Sequence, residues 1–143
     1  GLQSLSEDTE IVLVHDAVRP LVSSEVVKSV MKTAWEKGAV IPAVPIQATV
    51  KEADTQNRIT RTVNRGGLWM AQTPQGFRKE ILLRAYDALA ETGEEVTDDA
   101  QAVEKLGYPV EIVPGSPSNI KITTPEDLRL AIALLQLEQV GAG

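Results

Sequence analysis

Apolar positions recur along this chain with two different periods, and the places where one gives way to the other mark out its elements. Ile11 to His15 is an unbroken, β-branched apolar run of the kind that forms a strand covered on both faces, and it predicts a central parallel strand. Val26, Val27, Val30, Met31, Ala34 and Trp35 then repeat at helical spacing behind Ser23 and Ser24, either of which can cap the first turn, and Gly38 closes the run. That predicts a helix with one face laid on the sheet. Ala39 to Pro45 is apolar again, but Pro42 and Pro45 withhold ladder donors, which places this strand near an edge or leaving the sheet at its end.

Between Gln47 and Val63 the pattern turns polar and alternating. Thr49-Val50-Lys51 and Arg58 to Val63 flank a turn-like Asp54-Thr55-Gln56-Asn57, which predicts a hairpin, an arm over about 46–66, with little to bury. A lone ribbon is marginal in water; a symmetry-related second copy is the simplest cover, and a loose surface hairpin is the alternative. Leu68 to Thr73 returns as a strand, and Pro74-Gln75-Gly76 predicts a break. Ile81, Leu82, Ala85 and Leu89 then share a face of a helix running from about Arg78 to Gly93. Asp98 and Gln101 have capping-box spacing before a short helix with Ala102, Val103 and Leu106, stopped by Gly107. Val110 to Val113 reads as a strand, Asn119 to Ile122 as a short extended piece, and Thr124-Pro125-Glu126-Asp127 as the capped, acidic start of a last helix. This alternation predicts one α/β domain over 1–143 with a mostly parallel sheet flanked by helices.

Composition narrows the chemistry more than the fold. The 143 residues include 14 Lys and Arg against 20 Asp and Glu, a net charge of −6, which opposes nonspecific binding to nucleic acid or acidic membranes. There is no cysteine and only one histidine, so thiolate catalysis, disulfide scaffolding and Cys/His zinc sites are excluded, while oxygen-ligated metals remain. No apolar run approaches a membrane span, and no basic-then-apolar segment precedes the first strand. The cytoplasm, or an organelle stroma, is the expected compartment. The chain opens Gly1-Leu2 without methionine, so a truncated or cleaved product is considered.

Ligands of open α/β sheets bind beyond the carboxyl ends of the strands. Asp16 follows the first strand directly, and Arg19 comes three residues later. A carboxylate there can hold Mg²⁺ beside a nucleotide phosphate, and the planar Arg fork can grip a phosphate; alternatively Asp16 caps the next turn and pairs with Arg19. Arg65 precedes Gly66-Gly67 at the end of the hairpin, where a guanidinium can approach a ligand or stand solvated. Lys121 interrupts an apolar stretch just before a capped helix, and alternation alone points it outward. Thr49, Thr73 and Thr97 lie at strand or loop ends, where backbone capping is the ordinary role. His15 reads as a hydrogen-bonded structural group rather than a general base, and capping accounts for Asp98 and Asp99.

Taken together, these blocks match a family. His15-Asp16-Ala17-Val18-Arg19-Pro20 resembles the HDA-x-RP segment of the 2-C-methyl-D-erythritol 4-phosphate cytidylyltransferases. Arg61-Thr62-Val63-Asn64-Arg65 with Gly67-Leu68-Trp69, then Ala71 to Phe77, Thr97-Asp98-Asp99-Ala100 and Asn119 to Leu128 follow in the family's order and spacing. The resemblance implies a Rossmann-like nucleotidyltransferase sheet and transfer of a cytidylyl group from CTP to 2-C-methyl-D-erythritol 4-phosphate, with Mg²⁺ on the triphosphate. It implies Arg65 and Lys121 as the catalytic cations orienting the attacking phosphate, Asp16 as the carboxylate near metal and substrate, and Arg19, Thr49, Thr73 and Thr97 as substrate contacts. The hairpin corresponds to a homodimer arm, so Thr49 and Arg65 would serve the neighbouring subunit.

Two departures stand out. The family's glycine-rich, Arg- and Lys-containing loop that cradles CTP has no counterpart here, so the N-terminal nucleotide-binding part is expected to be missing and this chain alone inactive, unless a separate N-terminal fragment completes it. Some relatives also carry an acid where this chain has Ser118. The implied compartment is the bacterial cytoplasm or the plastid stroma. A cytidylyltransferase for another polyol phosphate, such as ribitol 5-phosphate, shares the HDA-x-RP and TPQ blocks; Gly67-Leu68-Trp69 and the NIKITTPEDL ending favour methylerythritol phosphate. A noncatalytic dimerisation module is the reading from a different class.

Overall fold

Val40 and Ala39 are adjacent in sequence yet face opposite sides of the central sheet, and each seeds its own core. Val40 packs with Val26, Val30, Ala34 and Val113, while Ala39 packs with Phe77, Leu82, Ala85 and Val103. This period-two division of one strand between two apolar layers is what a sheet covered on both faces requires. In the computed structural model, which describes residues 1–141, the layers are helix α1 (Ser24–Lys37) on one face and helices α2 (Lys79–Thr92) and α3 (Asp99–Lys105) on the other. Burying side chains such as Phe77 and Leu82 completely contributes about 1.5–3 kcal/mol each before conformational entropy is subtracted.

The sheet between them is built from β1 (Ile11–Val14), β2 (Ala39–Pro45), β5 (Trp69–Ala71), β6 (Gln75–Arg78) and β7 (Glu111–Pro114). The α/β class and the flanking helices agree with the sequence reading, but the mostly parallel sheet does not. Among the described residues only β2–β7 is parallel; β1–β6, β2–β6 and β2–β5 are all antiparallel. The reason lies in the connections. β1 and β2, joined through α1, do point the same way, as crossover geometry demands, and β7, reached from β6 through α2 and α3, lies parallel to β2 on its other side. The segment carrying β5 and β6 instead comes back from the hairpin arm directly alongside β2, and a direct return runs antiparallel.

Two strand positions are also corrected. Ala39–Pro45, expected near an edge or leaving the sheet at its end, is central: Val40 pairs with both Gly76 and Glu111, and Ala43 with both Ala71 and Pro114, so β2 has neighbours on each side. Ile11–Val14, expected at the centre, pairs with β6 alone among the described residues, and its four side chains are only half-buried. The break expected at Pro74-Gln75-Gly76 falls slightly earlier, over 72–74 between β5 and β6, because Gln75 opens β6 and Gly76 lies inside it. A Cβ at Gly76 would stand 2.6 Å from Val30 Cγ1 and 3.3 Å from Ala34 Cβ, so glycine there lets α1 lie close on the sheet.

Local signals fared well at the helices. Ser23 accepts from the Val26 N–H and caps α1, and Gly38 ends it with φ 96°. Asp98 accepts from the Gln101 N–H and caps α3. Met31 and Trp35, read as part of the buried face of α1, stay 49% and 56% exposed, because only Val26, Val30 and Ala34 reach the sheet. Asn119–Ile122 is not a strand but a loop, tied back where the Ile122 N–H meets the Val18 carbonyl at 2.8 Å.

The predicted hairpin is present as β3 (Val50–Ala53) and β4 (Ile59–Val63), a two-stranded sheet of its own. None of its strand residues is buried, and Ile59 is 64% exposed. Asp54 closes its turn by accepting from the Gln56 and Arg58 N–H groups, with Asn57 at φ 61°. The last helix, α4 (Pro125–Gly141), starts on a reciprocal cap: Thr124 Oγ1 accepts from the Asp127 N–H while Asp127 accepts from the N–H groups of Thr123 and Thr124. Of its side chains only Ala131 is buried.

Two outcomes follow for stability. Replacing Gly76 by Ala should lower unfolding stability by about 1–3 kcal/mol, since Val30 is stiff about χ1 and cannot move aside; urea unfolding midpoints would register it, and an unchanged midpoint would refute the packing account. The Thr123 N–H, helped by the Thr123 hydroxyl and by Thr124, holds the Asp127 carboxyl below the usual carboxylate range. A depressed value means that the contact stabilises the helix start at neutral pH and is lost as pH falls through the folded value. The Thr123 and Thr124 amide chemical shifts should therefore titrate with a midpoint below that of an unperturbed aspartate, and Asp127→Asn should abolish that step.

Candidate active site at the carboxyl ends of the strands

The carboxyl ends of β1, β2 and β7 share one side of the sheet, and the start of β6 lies among them because Gln75 pairs with Val14. Asp16 and Arg19 follow β1, Thr73 precedes β6, and the loop after β7 carries Asn119 and Lys121. Sequence separations as large as a hundred residues close here into direct contacts. The Asp16 N–H donates to Thr73 Oγ1 at 3.0 Å. Arg19 donates from Nη1 to the Asn119 carbonyl at 2.6 Å and from Nε to Asp16 Oδ2 at 3.4 Å. Lys121 Nζ lies 3.8 Å from the same carboxylate oxygen.

His15 takes the structural part expected of it. Thr73 Oγ1 accepts from the Asp16 N–H, and its one hydroxyl proton points to His15 Nδ1 at 2.8 Å, which leaves Nε2–H to donate to the Arg19 carbonyl at 2.9 Å. The ring thus braces both ends of the turn that presents Asp16 and Arg19. Thr73 Oγ1 keeps one lone pair free for a ligand hydroxyl.

Asp16 and Lys121 are well exposed, at 38% and 51%, so their ion pair adds little to stability. Its consequence is electrostatic: two cations around one carboxylate leave a locally positive spot on a chain of net charge −6. Arg19 is 13% exposed and fixed in orientation by its two acceptors, with the other N–H groups of its fork unspent. Arg19 and Lys121 line a groove of about 770 Å³ whose other walls include Pro45, Gln47, Trp69 and Asn119.

The remaining site candidates lie apart from this cluster. Thr97 stands before α3, where its N–H and hydroxyl both donate to Gln101 Oε1 at 2.7 and 3.1 Å. Gln75 joins that helix start to the sheet by donating to Asp98 and accepting from the Ala100 N–H. Thr49 and Arg65 are exposed at the base of the hairpin, and Arg65 borders a separate depression with Asn64, Gly66 and Gly67 that shares Pro45, Gln47 and Trp69 with the groove. Within one chain these two residues do not meet Asp16.

Three buried polar side chains behind the site went unread in the sequence as individuals: Gln72, Gln75 and Asn119. A polar residue beside β-branched or proline-rich neighbours signals nothing until its strand partners are known. Regarding metal, no group of three or more His, Asp or Glu residues clusters among the described residues. Asp16 is the one carboxylate of the cluster, and this suits Mg²⁺, which takes one or two protein carboxylates and fills its other positions with water and phosphate oxygens.

With this geometry in view, likeness to known proteins is extensive. A sequence model described as "IspD: 2-C-methyl-D-erythritol 4-phosphate cytidylyltransferase" matches residues 1–137. The chain is 48% identical over 139 residues to the 2-C-methyl-D-erythritol 4-phosphate cytidylyltransferase of Syntrophus aciditrophicus, covering 97% of this chain and 59% of that protein. It is 47% identical to the chloroplastic enzyme of Oryza sativa, covering 94% and 46% respectively. The crystal structure of the enzyme from Thermus thermophilus superimposes with a TM-score of 0.87 at 40% identity, over 94% of this chain and 65% of that one. The chain therefore spans roughly half to two-thirds of the length of these relatives. Sequence and fold agree with these relatives along nearly all of its length, and the chain belongs to the 2-C-methyl-D-erythritol 4-phosphate cytidylyltransferase family.

Proposed function

We propose that this chain supplies the polyol-phosphate side of an active site that joins CTP to 2-C-methyl-D-erythritol 4-phosphate. The substrate phosphate oxygen attacks the α-phosphorus of CTP, the bond to the β-phosphate breaks, and pyrophosphate leaves; no covalent enzyme intermediate is required. The observation that carries this reading is the meeting of Arg19 and Lys121, borne on different loops, at one carboxylate beside an open groove. Two anions must be brought together in such a reaction, so fixed cations lower the barrier by orienting the nucleophile and offsetting charge as it builds.

In this assignment Lys121 and Arg65 orient the attacking phosphate, Arg19 holds it, and Thr73 contacts the polyol. Asp16 contacts substrate and is the residue offered to Mg²⁺, which when bound would neutralise triphosphate oxygens. The triphosphate cradle itself lies outside these 143 residues, since no glycine-rich loop with Arg and Lys occurs among them; activity is therefore to be measured on the full-length protein. Thr49 and Arg65 act in trans. A hairpin with no buried strand residue gains stability only when something covers it, and a second copy of the chain does so symmetrically. The bacterial and chloroplastic relatives support action in a bacterial cytoplasm or a plastid stroma.

Asp16→Asn, Lys121→Ala and Arg65→Ala should each lower the rate of CDP-methylerythritol formation by about 10²-fold or more, with circular dichroism unchanged. Retention of full rate by all three would refute the assignment, and a faster reaction with ribitol 5-phosphate would reassign the substrate. Mixing Arg65→Ala with Lys121→Ala subunits should restore about a quarter of the wild-type rate, because half of the dimers are mixed and each mixed dimer keeps one intact site. If both residues serve the same chain's site, mixing restores nothing.

A further inference from the structure

We propose that Gln72 is a positioning residue for the phosphate-binding lysine, acting as a bracket that holds the loop carrying Lys121 against the sheet. Gln72 is 7% exposed and leaves β2's neighbouring strand just where the pairing with β2 is interrupted. Its side-chain amide copies a strand: Nε2–H donates to the Ser116 carbonyl at 2.8 Å, and Oε1 accepts from the Ser116 N–H at 3.1 Å. Asn119 extends the bracket, donating from Nδ2 to the Thr73 carbonyl at 2.9 Å, while its own carbonyl receives Arg19. Beyond Gly115, whose N–H still pairs with the Ala43 carbonyl, and before Ile122, bound to Val18, these are the bonds that fix the loop to the body of the protein.

Gly115 shows that the bracket is built in closely. A Cβ there would stand 2.4 Å from Gln72 Oε1 and 3.2 Å from the Ala43 backbone, so only glycine leaves room for the amide to reach Ser116. Lys121, two residues beyond Asn119, is more than half exposed and has one ionic contact, with Asp16 at 3.8 Å. A long side chain held so lightly owes its position to its backbone, which Asn119 and Ile122 anchor on either side and Gln72 anchors at the start of the loop. Nothing in this places Gln72 on the substrate: both ends of its amide are already engaged.

The inference rests on the role given to Lys121 above, and the test separates the two. In the full-length enzyme, Gln72→Leu should reduce kcat by about tenfold to a hundredfold, the scale expected when a reacting group is displaced by about 1 Å. Gly115→Ala should reproduce that loss with the glutamine chemically intact, and it serves as the deciding variant if Gln72→Leu does not fold. In a Lys121→Gln background the further loss from Gln72→Leu should shrink to less than about threefold, because the group being positioned is gone. In a Thr49→Ala background it should remain complete. A wild-type kcat in both Gln72→Leu and Gly115→Ala, or a loss that multiplies in full with Lys121→Gln, overturns the proposal. Should Lys121→Gln by itself leave the rate unchanged, the assignment of Lys121 fails instead.

Discussion

The site depends on a discontinuity in one strand pair. Three steps along β2, from Val40 to Ala43, correspond to five along its antiparallel neighbour, from Gly76 back to Ala71, so two residues more are accommodated there. The interruption falls opposite Pro42, which has no N–H to offer that edge, while its carbonyl still accepts from the Gln72 N–H at 2.8 Å. A central strand can therefore carry a proline, because the ladder bond it cannot make lies where the neighbour bulges. The bulge turns Gln72 and Thr73 out of the ladder toward β7 and β1. Thr73 then anchors the turn of Asp16, and Gln72 the loop of Ser116 and Asn119.

From this follows the electrostatic character of the site. The chain is acidic as a whole, yet the cations Arg19 and Lys121 are drawn to one carboxylate by loops fastened through uncharged groups. Amides and hydroxyls tie the frame together, so the charges need not spend themselves on holding it. An exposed ion pair is worth little to stability, and a ligand phosphate can compete for both cations at small cost. Arg19 differs from Lys121 in this respect. Its guanidinium is largely covered and fixed on a backbone carbonyl, which suits a rigid floor, whereas Lys121 reaches in from the groove wall.

The hairpin obeys a different constraint. Helices cover both faces of the main sheet except along β5, but β3 and β4 have none, and their order comes from the Asp54 turn and from cross-strand polar contacts such as Lys51 Nζ donating to Thr62 Oγ1 at 2.7 Å and Arg61 Nε to Glu52 at 2.5 Å. Polar cross-strand pairs can set the register of a ribbon, but each adds only a fraction of a kcal/mol to about 1 kcal/mol. An arm built this way is well shaped for docking and poorly shaped for standing alone.

Much of this was legible in the residues themselves. Ser23, Gly38, Asp98, Thr124 and Pro125 announced the helix ends, and the shift from apolar to polar alternation after Gln47 announced the hairpin, because caps, turns and ribbons are decided within a few neighbouring residues. The family blocks likewise marked Asp16, Arg19 and Lys121 before any contact was known. What the linear chain did not determine was which strands adjoin. Two prolines made β2 look peripheral, an unbroken apolar run made β1 look central, and the alternation of strands and helices suggested mostly parallel pairing. Tertiary structure reversed each of these, since sheet order is a competition among segments tens of residues apart. The bracket of Gln72 on Ser116, 44 residues away, and the reach of Arg19 to Asn119, 100 residues away, exist only once that competition is resolved.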